Sequence, residues 1–218
     1  MYRFLKRSFD IFCAVMGIVL TSPLWILAII GIEVSDPGPI FYKARRFGKE
    51  NRLFTMFKFR SMRVQRDADE SSLRADVSRI FPFGNFMRRS KIDELPQLLN
   101  VLNGTMSVVG PRPVAEDQKD LFRVGKWNDA ALVRAGLSGP AALYDYIYGD
   151  TITDEAEYME KVFPTRRELE SVYVRKMGIG YDLKMIVYTV ICILYAVCGR
   201  KPEWILKELE ASAKEIDE

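Results

Sequence analysis

The chain has 218 residues, of which 49% are hydrophobic and 28% are charged, which predicts a folded domain with a packed core and an appendage. It contains no histidine, so Ser-His-Asp and Cys-His nucleophilic schemes and imidazole metal sites are excluded. The formal net charge is only +3, and any reactive site must rely on carboxylates, lysines, arginines or a hard cation such as Mg²⁺ or Mn²⁺ on oxygen ligands.

The first predicted element is an apolar segment at residues 9–32 with basic residues on both flanks. As one helix it would be about 36 Å long, enough to cross a bilayer core of about 30 Å, so a plain transmembrane anchor is one interpretation. Pro23 lies in its middle and should kink or break the helix, with Thr21 or Ser22 hydroxyls satisfying the freed backbone. Basic flanks favour keeping both ends in the cytoplasm. We therefore predict a re-entrant helix-break-helix hairpin that breaks at Ser22 and Pro23.

The rest of the chain predicts short strands followed mainly by helices. The apolar residues 185–197 would form a helix of about 20 Å, which is short for a membrane span and favours an interfacial or buried helix. In chain order, the predicted elements are strands at 40–45 and 53–60, a charged loop or short helix at 65–78, a helix that starts at Ser90 and stops at Asn103-Gly104, an apolar run at 106–109, a helix at 116–132, a loop at 136–140, helices at 154–162 and 164–177, an apolar helix within 181–197 and an amphipathic tail.

The fold class that these elements predict is α+β and mostly helical. It divides into the re-entrant hairpin at residues 1–36, a small cytoplasmic domain with short strands at 37–180, and interfacial amphipathic helices at 181–218. We see no internal repeat in this sequence.

Residues 90–97 are the most informative stretch, because they place the adjacent carboxylates Asp93 and Glu94 directly after a pair of arginines. Ser90 is a good helix N-cap and Asp93 follows it by three positions, so a purely structural capping role for Asp93 is one interpretation. Adjacent carboxylates also repel each other, and a cation or a shared proton usually relieves the repulsion. In the other interpretation, one carboxylate coordinates Mg²⁺ and the other attacks a phosphorus atom, with arginines holding the anionic substrate.

Further motifs extend this pattern over most of the chain. They are Lys58-Phe59-Arg60-Ser61-Met62, Arg88, Asp93-Glu94-Leu95-Pro96-Gln97-Leu98, Asn100-Val101, Gly104-x-Met106-Ser107, Val109-Gly110-Pro111-Arg112-Pro113 and Tyr181-Asp182-Leu183-Lys184. Together with the Ser22-Pro23 segment, this ordered combination resembles the bacterial sugar transferase family, whose small members are monotopic phosphoglycosyl transferases. The resemblance runs from about residue 2 to about residue 195.

The resemblance implies an enzyme that starts lipid-linked glycan synthesis. Such an enzyme transfers a sugar phosphate from a nucleotide diphosphate sugar, usually a UDP-sugar, to a membrane polyprenol phosphate such as undecaprenyl phosphate, and it releases UMP. By the family's pattern, Asp93 matches the nucleophile that carries a covalent phosphosugar in a ping-pong route, and Glu94 matches the residue that helps to bind Mg²⁺. Arg112 matches an arginine in a phosphate-binding loop.

Three further basic residues, Lys58, Arg60 and Arg88, are candidates for contacts with phosphate or a lipid headgroup. Each has an alternative interpretation as a solvated or membrane-facing charge. The implied location is the cytoplasmic face of the bacterial inner membrane, where anionic lipids explain the basic flanks better than nucleic acid does. The oligomeric state stays open, with a homodimer among the alternatives.

One segment departs from the commonest family pattern. Ala135 stands where a proline is expected, and the chain continues into the aromatic and acidic residues 144–150. This segment is a candidate wall of the sugar or nucleotide pocket, and a loop packed with tyrosines is the alternative. The donor sugar is therefore not implied by the resemblance.

Two other functions remain in competition with the enzyme. One is a non-catalytic scaffold at the membrane surface that recruits later glycosyltransferases, although an inactive relative would be expected to lose Asp93 or Glu94. The other is a phosphatase or a lipid-phosphate binder that uses the same basic groups. Covalent labelling by a UDP-sugar without acceptor separates the three.

Overall fold

The structure is a computed structural model that describes residues 2–64 and 77–215. Most of the prediction for 65–78 therefore lies outside the described residues. The fold is mostly helical with small sheets, as predicted. The helices are α1 Tyr2–Ser35, α2 Pro82–Arg89, α3 Gln97–Asn103, α4 Lys119–Phe122, α5 Pro140–Ile147, α6 Glu155–Lys161, α7 Phe163–Lys176, α8 Ile179–Val197 and α9 Glu203–Lys214, and the strands are β1 Phe41–Phe47, β2 Leu53–Phe59, β3 Met106–Val109, β4 Val114–Ala115 and β5 Ala135–Ser138.

The strands form two small sheets. The first is antiparallel in the order β2-β1-β4, and its two long strands confirm the predictions at 40–45 and 53–60. The second pairs β3 with β5 in parallel, so the predicted loop at 136–140 is wrong. Glycines made this segment resemble a loop, but Gly136 serves close packing: a Cβ there would lie 2.1 Å from the Gly110 nitrogen.

Helix α1 continues through Pro23, so the predicted break at Ser22 and Pro23 is not observed. Pro23 cannot donate a hydrogen bond to the Val19 carbonyl, and the Ser22 hydroxyl donates to that carbonyl instead at 2.8 Å. The Thr21 hydroxyl bonds the Gly17 carbonyl in the same way at 2.6 Å. The prediction that a Thr21 or Ser22 hydroxyl satisfies the freed backbone is confirmed for Ser22, which donates to the carbonyl that Pro23 leaves without a donor.

One face of α1 packs along the rest of the protein from end to end. Its buried residues include Asp10, Ala14, Ala28 and Ile32. Gly31 lies so close to the Phe83 ring that an added Cβ would be 2.2 Å from it. The opposite face exposes large apolar side chains, among them Phe4, Phe12, Val19, Leu20, Ile26, Ile30 and Val34.

Helix α8 is longer than predicted, because it begins at Ile179 and includes the polar residues Asp182 and Lys184. Its 19 residues give about 28 Å of helix, and the apolar residues 185–197 make up about 20 Å of it, as predicted. Within the described residues, α1 and α8 are both long and apolar enough to cross a membrane by composition. The exposed apolar residues of α8 form a stripe at Leu183, Val187, Val190, Leu194 and Val197.

The C-terminal helices share the largest hydrophobic core with α5 and α7. The predicted amphipathic tail is confirmed as α9, which buries Ile205, Leu209 and Ala213 and exposes Trp204. The helices predicted at 154–162 and 164–177 are confirmed as α6 and α7. The helix predicted at 116–132 is broken into short turns around α4, with Gly125 at a φ of 55°.

Candidate active site

The carboxylate pair lies in a single 3-10 turn, Ile92–Glu94, between α2 and α3. Ser90 ends α2 instead of starting a helix, because its hydroxyl donates to the Phe86 carbonyl at 2.8 Å. Helix α3 begins only at Gln97, with Pro96 just before it, where a missing N–H costs little. The predicted N-cap at Ser90 and the capping position of Asp93 are therefore wrong, and capping does not explain this carboxylate.

Asp93 is a buried carboxylate with unused bonding capacity. It is 4% exposed, and its Oδ1 has no hydrogen-bond partner among the described residues. Burial and repulsion from Glu94 raise the pKa of Asp93 above its ordinary value, although Lys58 and Lys91 act in the opposite direction. Because a buried polar oxygen without a partner costs stability, a functional reason for Asp93 is the better explanation.

Glu94 has the opposite electrostatic environment. Its Oε1 lies 3.1 Å from the Lys58 ammonium and 3.7 Å from that of Lys91. Burial acts to raise the pKa of Glu94, but Lys58, Lys91 and Arg112 outweigh burial and hold the pKa well below its ordinary value. Glu94 is therefore a stable anion, whereas the neighbouring Asp93 carboxylate is protonated more easily.

Arg112 reaches the pair from a rigid loop. The Gly110 N–H donates to the Ser138 carbonyl at 2.9 Å, and the Gly136 N–H donates to the Pro111 carbonyl at 2.7 Å. Burial opposes the charge on Arg112, but Asp145 and Glu94 raise its pKa above the ordinary value. This loop therefore holds a permanent cation whose charge acts on Glu94.

Two of the three additional basic candidates lie beside the pair and one does not. Lys58 contacts Glu94, and the charge of Arg88 lowers the pKa of Asp93. Arg60 is buried elsewhere: its guanidinium donates to the Pro39 carbonyl at 2.6 Å and pairs with the Asp36 carboxylate at the end of α1. Arg60 therefore fastens α1 to β2 and does not face the pair.

Other residues beside the pair were not singled out from the sequence. Lys91, the most important of them, adopts a left-handed conformation with a φ of 57° just before the turn. Its ammonium lies 4.1 Å from the centre of the Tyr146 ring and 3.7 Å from an Asp150 oxygen. The prediction that residues 144–150 form a wall of the sugar or nucleotide pocket was the only signal for these contacts. Nothing else in the sequence indicates that α5 packs against the turn.

The carboxylate oxygens at this site suit a hard cation that takes only one or two ligands from the protein. The described residues include no group of three or more metal-binding side chains. Mg²⁺ is commonly held through one or two carboxylates, with water and substrate phosphates completing its shell. Asp93, with its unpartnered oxygen, and Glu94 together fit that pattern.

Comparison with known proteins shows the family to which the chain belongs. A family model described as Bacterial sugar transferase matches residues 1–196. A UDP-glucose:undecaprenyl-phosphate glucose-1-phosphate transferase of Xanthomonas campestris pv. campestris is 36% identical over 193 residues, covering 87% of this chain and 38% of that protein. The exopolysaccharide production protein ExoY of Rhizobium meliloti is 36% identical over 180 residues, covering 71% of this chain and 76% of that protein.

A third relative carries a different sugar in its name. The UDP-N-acetylgalactosamine-undecaprenyl-phosphate N-acetylgalactosaminephosphotransferase of Aeromonas hydrophila is 33% identical over 198 residues, covering 88% of this chain and 44% of that protein. The chain thus spans less than half the length of the Xanthomonas and Aeromonas relatives. From the matched residues and the site that they form, the chain belongs to the bacterial sugar transferase family.

Proposed function

We propose that this chain transfers a sugar 1-phosphate from a UDP-sugar to undecaprenyl phosphate and releases UMP. The observation that carries the proposal is the buried Asp93 carboxylate, whose Oδ1 is unpartnered and whose neighbours include Lys58, Lys91 and Arg88. The names of the relatives support the donor and acceptor classes. The sugar differs among these relatives, so the proposal commits to the nucleotide and not to the sugar.

In the first step, an Asp93 oxygen attacks the sugar-bearing phosphorus of the donor. The bond from that phosphorus to the bridging oxygen breaks, and UMP leaves with the electron pair. Cations around the turn reduce the repulsion between an anionic nucleophile and an anionic substrate. Because Lys58 and Lys91 already contact Glu94, they hold positive charge within reach of the attacked group.

In the second step, a phosphate oxygen of undecaprenyl phosphate attacks the phosphorus of the phosphosugar. The bond to Asp93 breaks, which regenerates the carboxylate and forms the diphosphate-linked lipid sugar. This ping-pong route requires only one substrate at a time in the site. It therefore limits the number of phosphate charges that the basic side chains of the site must balance.

Glu94 is the residue that would hold Mg²⁺, which leaves Asp93 to act as the nucleophile. When bound, Mg²⁺ would neutralise charge on the donor's diphosphate. Chelation of divalent cations should abolish turnover, and added Mg²⁺ should restore it. Turnover that is insensitive to a chelator would refute the metal assignment.

We further propose that α1 enters the membrane from the cytoplasmic side and does not cross it. Near its start, Arg7 donates to the Val101 carbonyl at 2.6 Å and the Leu102 carbonyl at 2.9 Å. At its end, Asp36 pairs with Arg60. Both ends of the helix are thus fastened to the same folded body, and a helix that crosses the bilayer would have its ends on opposite sides.

The proposed activity is tested by UMP release from a panel of UDP-sugars with undecaprenyl phosphate present. We expect release with at least one of UDP-glucose, UDP-galactose and UDP-N-acetylgalactosamine, and none with Asp93→Asn. A scaffold would release no UMP from any donor. A phosphatase would release inorganic phosphate from the lipid without a donor, and either result would contradict the proposal.

A further inference from the structure

A buried ionic cluster joins Arg112 to α5 and α7. Its centre is Asp145 on α5, which is 5% exposed. One oxygen of Asp145, Oδ2, lies 3.7 Å from Arg112 Nε and 3.7 Å from Arg166 Nη1. The other oxygen, Oδ1, accepts a hydrogen bond from the Tyr158 hydroxyl at 2.8 Å. A single carboxylate therefore holds two guanidinium groups together.

The ion pair with Asp145 joins the inner nitrogen of Arg112, Nε, to Asp145 Oδ2 at 3.7 Å. The described residues give the two terminal nitrogens of this guanidinium no hydrogen bond. Meanwhile the main chain of Arg112 is held separately, because its N–H donates to Glu170 Oε2 at 2.7 Å. Asp145 and Glu170 thus hold Arg112 in place. Its terminal nitrogens remain able to make the paired hydrogen bonds that phosphate oxygens accept.

Charge explains why this arrangement depends on Asp145. Arg112 and Arg166 approach the same oxygen, and without a carboxylate between them the two cations would repel each other. Burial acts to raise the pKa of Asp145, but Arg166 and Arg112 hold it below its ordinary value, so the group stays anionic at neutral pH. Gly149 leaves room for the carboxylate, since a Cβ there would lie 2.1 Å from Asp145 Oδ1.

We propose that Asp145 is a positioning residue that aims Arg112 at the diphosphate of the nucleotide donor, with Arg166 and Tyr158 fixing Asp145 in turn. This inference rests on the proposed function, because it assigns the donor's diphosphate to Arg112. Asp145 acts through Arg112 and does not itself touch the substrate. The role is distinct from that of a buried ion pair that only joins α5 to α7.

A double-mutant cycle tests the proposal, with UDP as the probe because it carries the diphosphate and no sugar. Binding is measured by calorimetry on the full chain in nanodiscs for wild type, Asp145→Asn, Arg112→Ala and the double variant. We expect Asp145→Asn to weaken UDP binding roughly tenfold in the presence of Arg112 and less than about twofold in its absence. Asp154→Asn is the matched control, because this exposed residue caps α6 and asparagine caps equally well.

An equal loss in both backgrounds, or Asp145→Asn binding UDP as wild type does, would overturn the positioning role. If Asp145→Asn does not fold, Gly149→Ala replaces it in the same cycle, because the added Cβ displaces the carboxylate without removing its charge. The same pattern of losses is expected, and Gly180→Ala is its control because nothing lies near that Cβ. Wild-type UMP release is measured in parallel: its absence refutes the proposed function and the inference together, whereas normal release with an uncoupled cycle refutes the inference alone.

Discussion

The two adjacent carboxylates are placed in environments that act on them in opposite directions. Asp93 is buried with an unpartnered oxygen, whereas Glu94 contacts two ammonium groups. Such separation within a pair of carboxylates is typical of sites that need one reactive and one stable anion. The proposed roles of Asp93 as nucleophile and Glu94 as metal ligand therefore have a physical basis in the different surroundings of the two carboxylates.

The first prediction is that neutral substitutions of the pair change stability with opposite signs. The pKa of Asp93 is higher in the folded state than in the unfolded state. The free energy of unfolding therefore falls as pH rises from the unfolded pKa to the folded pKa, and at pH 7 the ionised carboxylate destabilises the fold. Asp93→Asn should therefore raise the melting temperature at pH 7, by about 2–4 °C if about 1 kcal/mol is regained. The measurement is thermal unfolding in nanodiscs.

Glu94→Gln should do the reverse. Its pKa is lowered in the folded state, so its stabilising contribution is present above the unfolded pKa and is lost as pH falls through the folded pKa. At pH 7 the substitution leaves Lys58 and Lys91 without their carboxylate, and we expect a loss of about 2 kcal/mol. Changes of the same sign in both variants would contradict this assignment.

The second prediction concerns the pH dependence of the first chemical step. Asp93 must be ionised to attack, and its pKa is raised by burial and by Glu94. The rate of covalent labelling should therefore fall on acidification at a pH above the ordinary aspartate value of about 3.9. A rate that stays constant down to that value would show that a group with an unshifted pKa, or none, controls the step.

At the scale of elements, the parallel pairing of β3 with β5 fixes the loop that carries Arg112. Gly110 and Gly136 pack backbone against backbone, and a Cβ on Gly136 would lie 2.1 Å from the Gly110 nitrogen and 2.4 Å from the Ser138 carbonyl oxygen. Neither of these backbone groups moves aside easily, since each takes part in the hydrogen bonding that joins the strands. The position of Arg112 thus depends on glycines in a neighbouring strand.

The third prediction follows from this packing. Gly136→Ala should displace the Gly110–Arg112 loop and reduce UMP release by roughly a hundredfold, while helix content measured by circular dichroism stays unchanged. Gly180→Ala is the matched control, because a Cβ at that position in α8 meets nothing within 4 Å. Full activity in the Gly136→Ala protein would mean that the loop does not need this spacing.

The sequence predicted elements well where the pattern was local. The strands β1 and β2 and the helices α6 and α7 were predicted correctly from short local runs of apolar and polar residues. Ser90 and β5 were predicted wrongly for a shared reason. A serine that ends one helix looks the same as one that starts the next, and a glycine required for close packing looks the same as one in a loop.

The residues that carry the chemistry of the candidate site could be predicted from the sequence, but the residues that pack around them could not. Asp93, Glu94, Arg112 and Lys58 were identified from motifs. Lys91 and Asp145 were not, because their roles depend on where α5 packs, and no local pattern specifies that contact. Arg60 was misplaced because a buried ion pair with the end of α1 leaves no signature in the sequence.

At the scale of the whole molecule, the two apolar helices and the site form one connected body. Lys6 on α1 lies 3.0 Å from an Asp182 oxygen on α8, so the two helices with exposed apolar faces are joined by an ion pair. Arg3, near the start of α1, and Lys49, in the β1–β2 connection, line the same cavity. Positions 3 and 49 therefore lie close together in one folded body.

The fourth prediction is that both of these positions lie on the cytoplasmic side. Single cysteines at positions 3 and 49, in a background with Cys13, Cys192 and Cys198 replaced by serine, should both be shielded from an impermeant thiol reagent in intact cells. Both should react after the cells are opened. Labelling of either position in intact cells would contradict the proposal that α1 does not cross the membrane.

The proposed mechanism depends on a covalent bond between Asp93 and the sugar phosphate. The most direct measurement is incubation of the protein with UDP-sugars radiolabelled in the sugar, without acceptor, followed by peptide mapping. We predict one labelled peptide containing Asp93, loss of the label when undecaprenyl phosphate is added, and no label in Asp93→Asn. An Asp93→Asn protein that retains full turnover with undecaprenyl phosphate would contradict the proposed role of Asp93 as nucleophile.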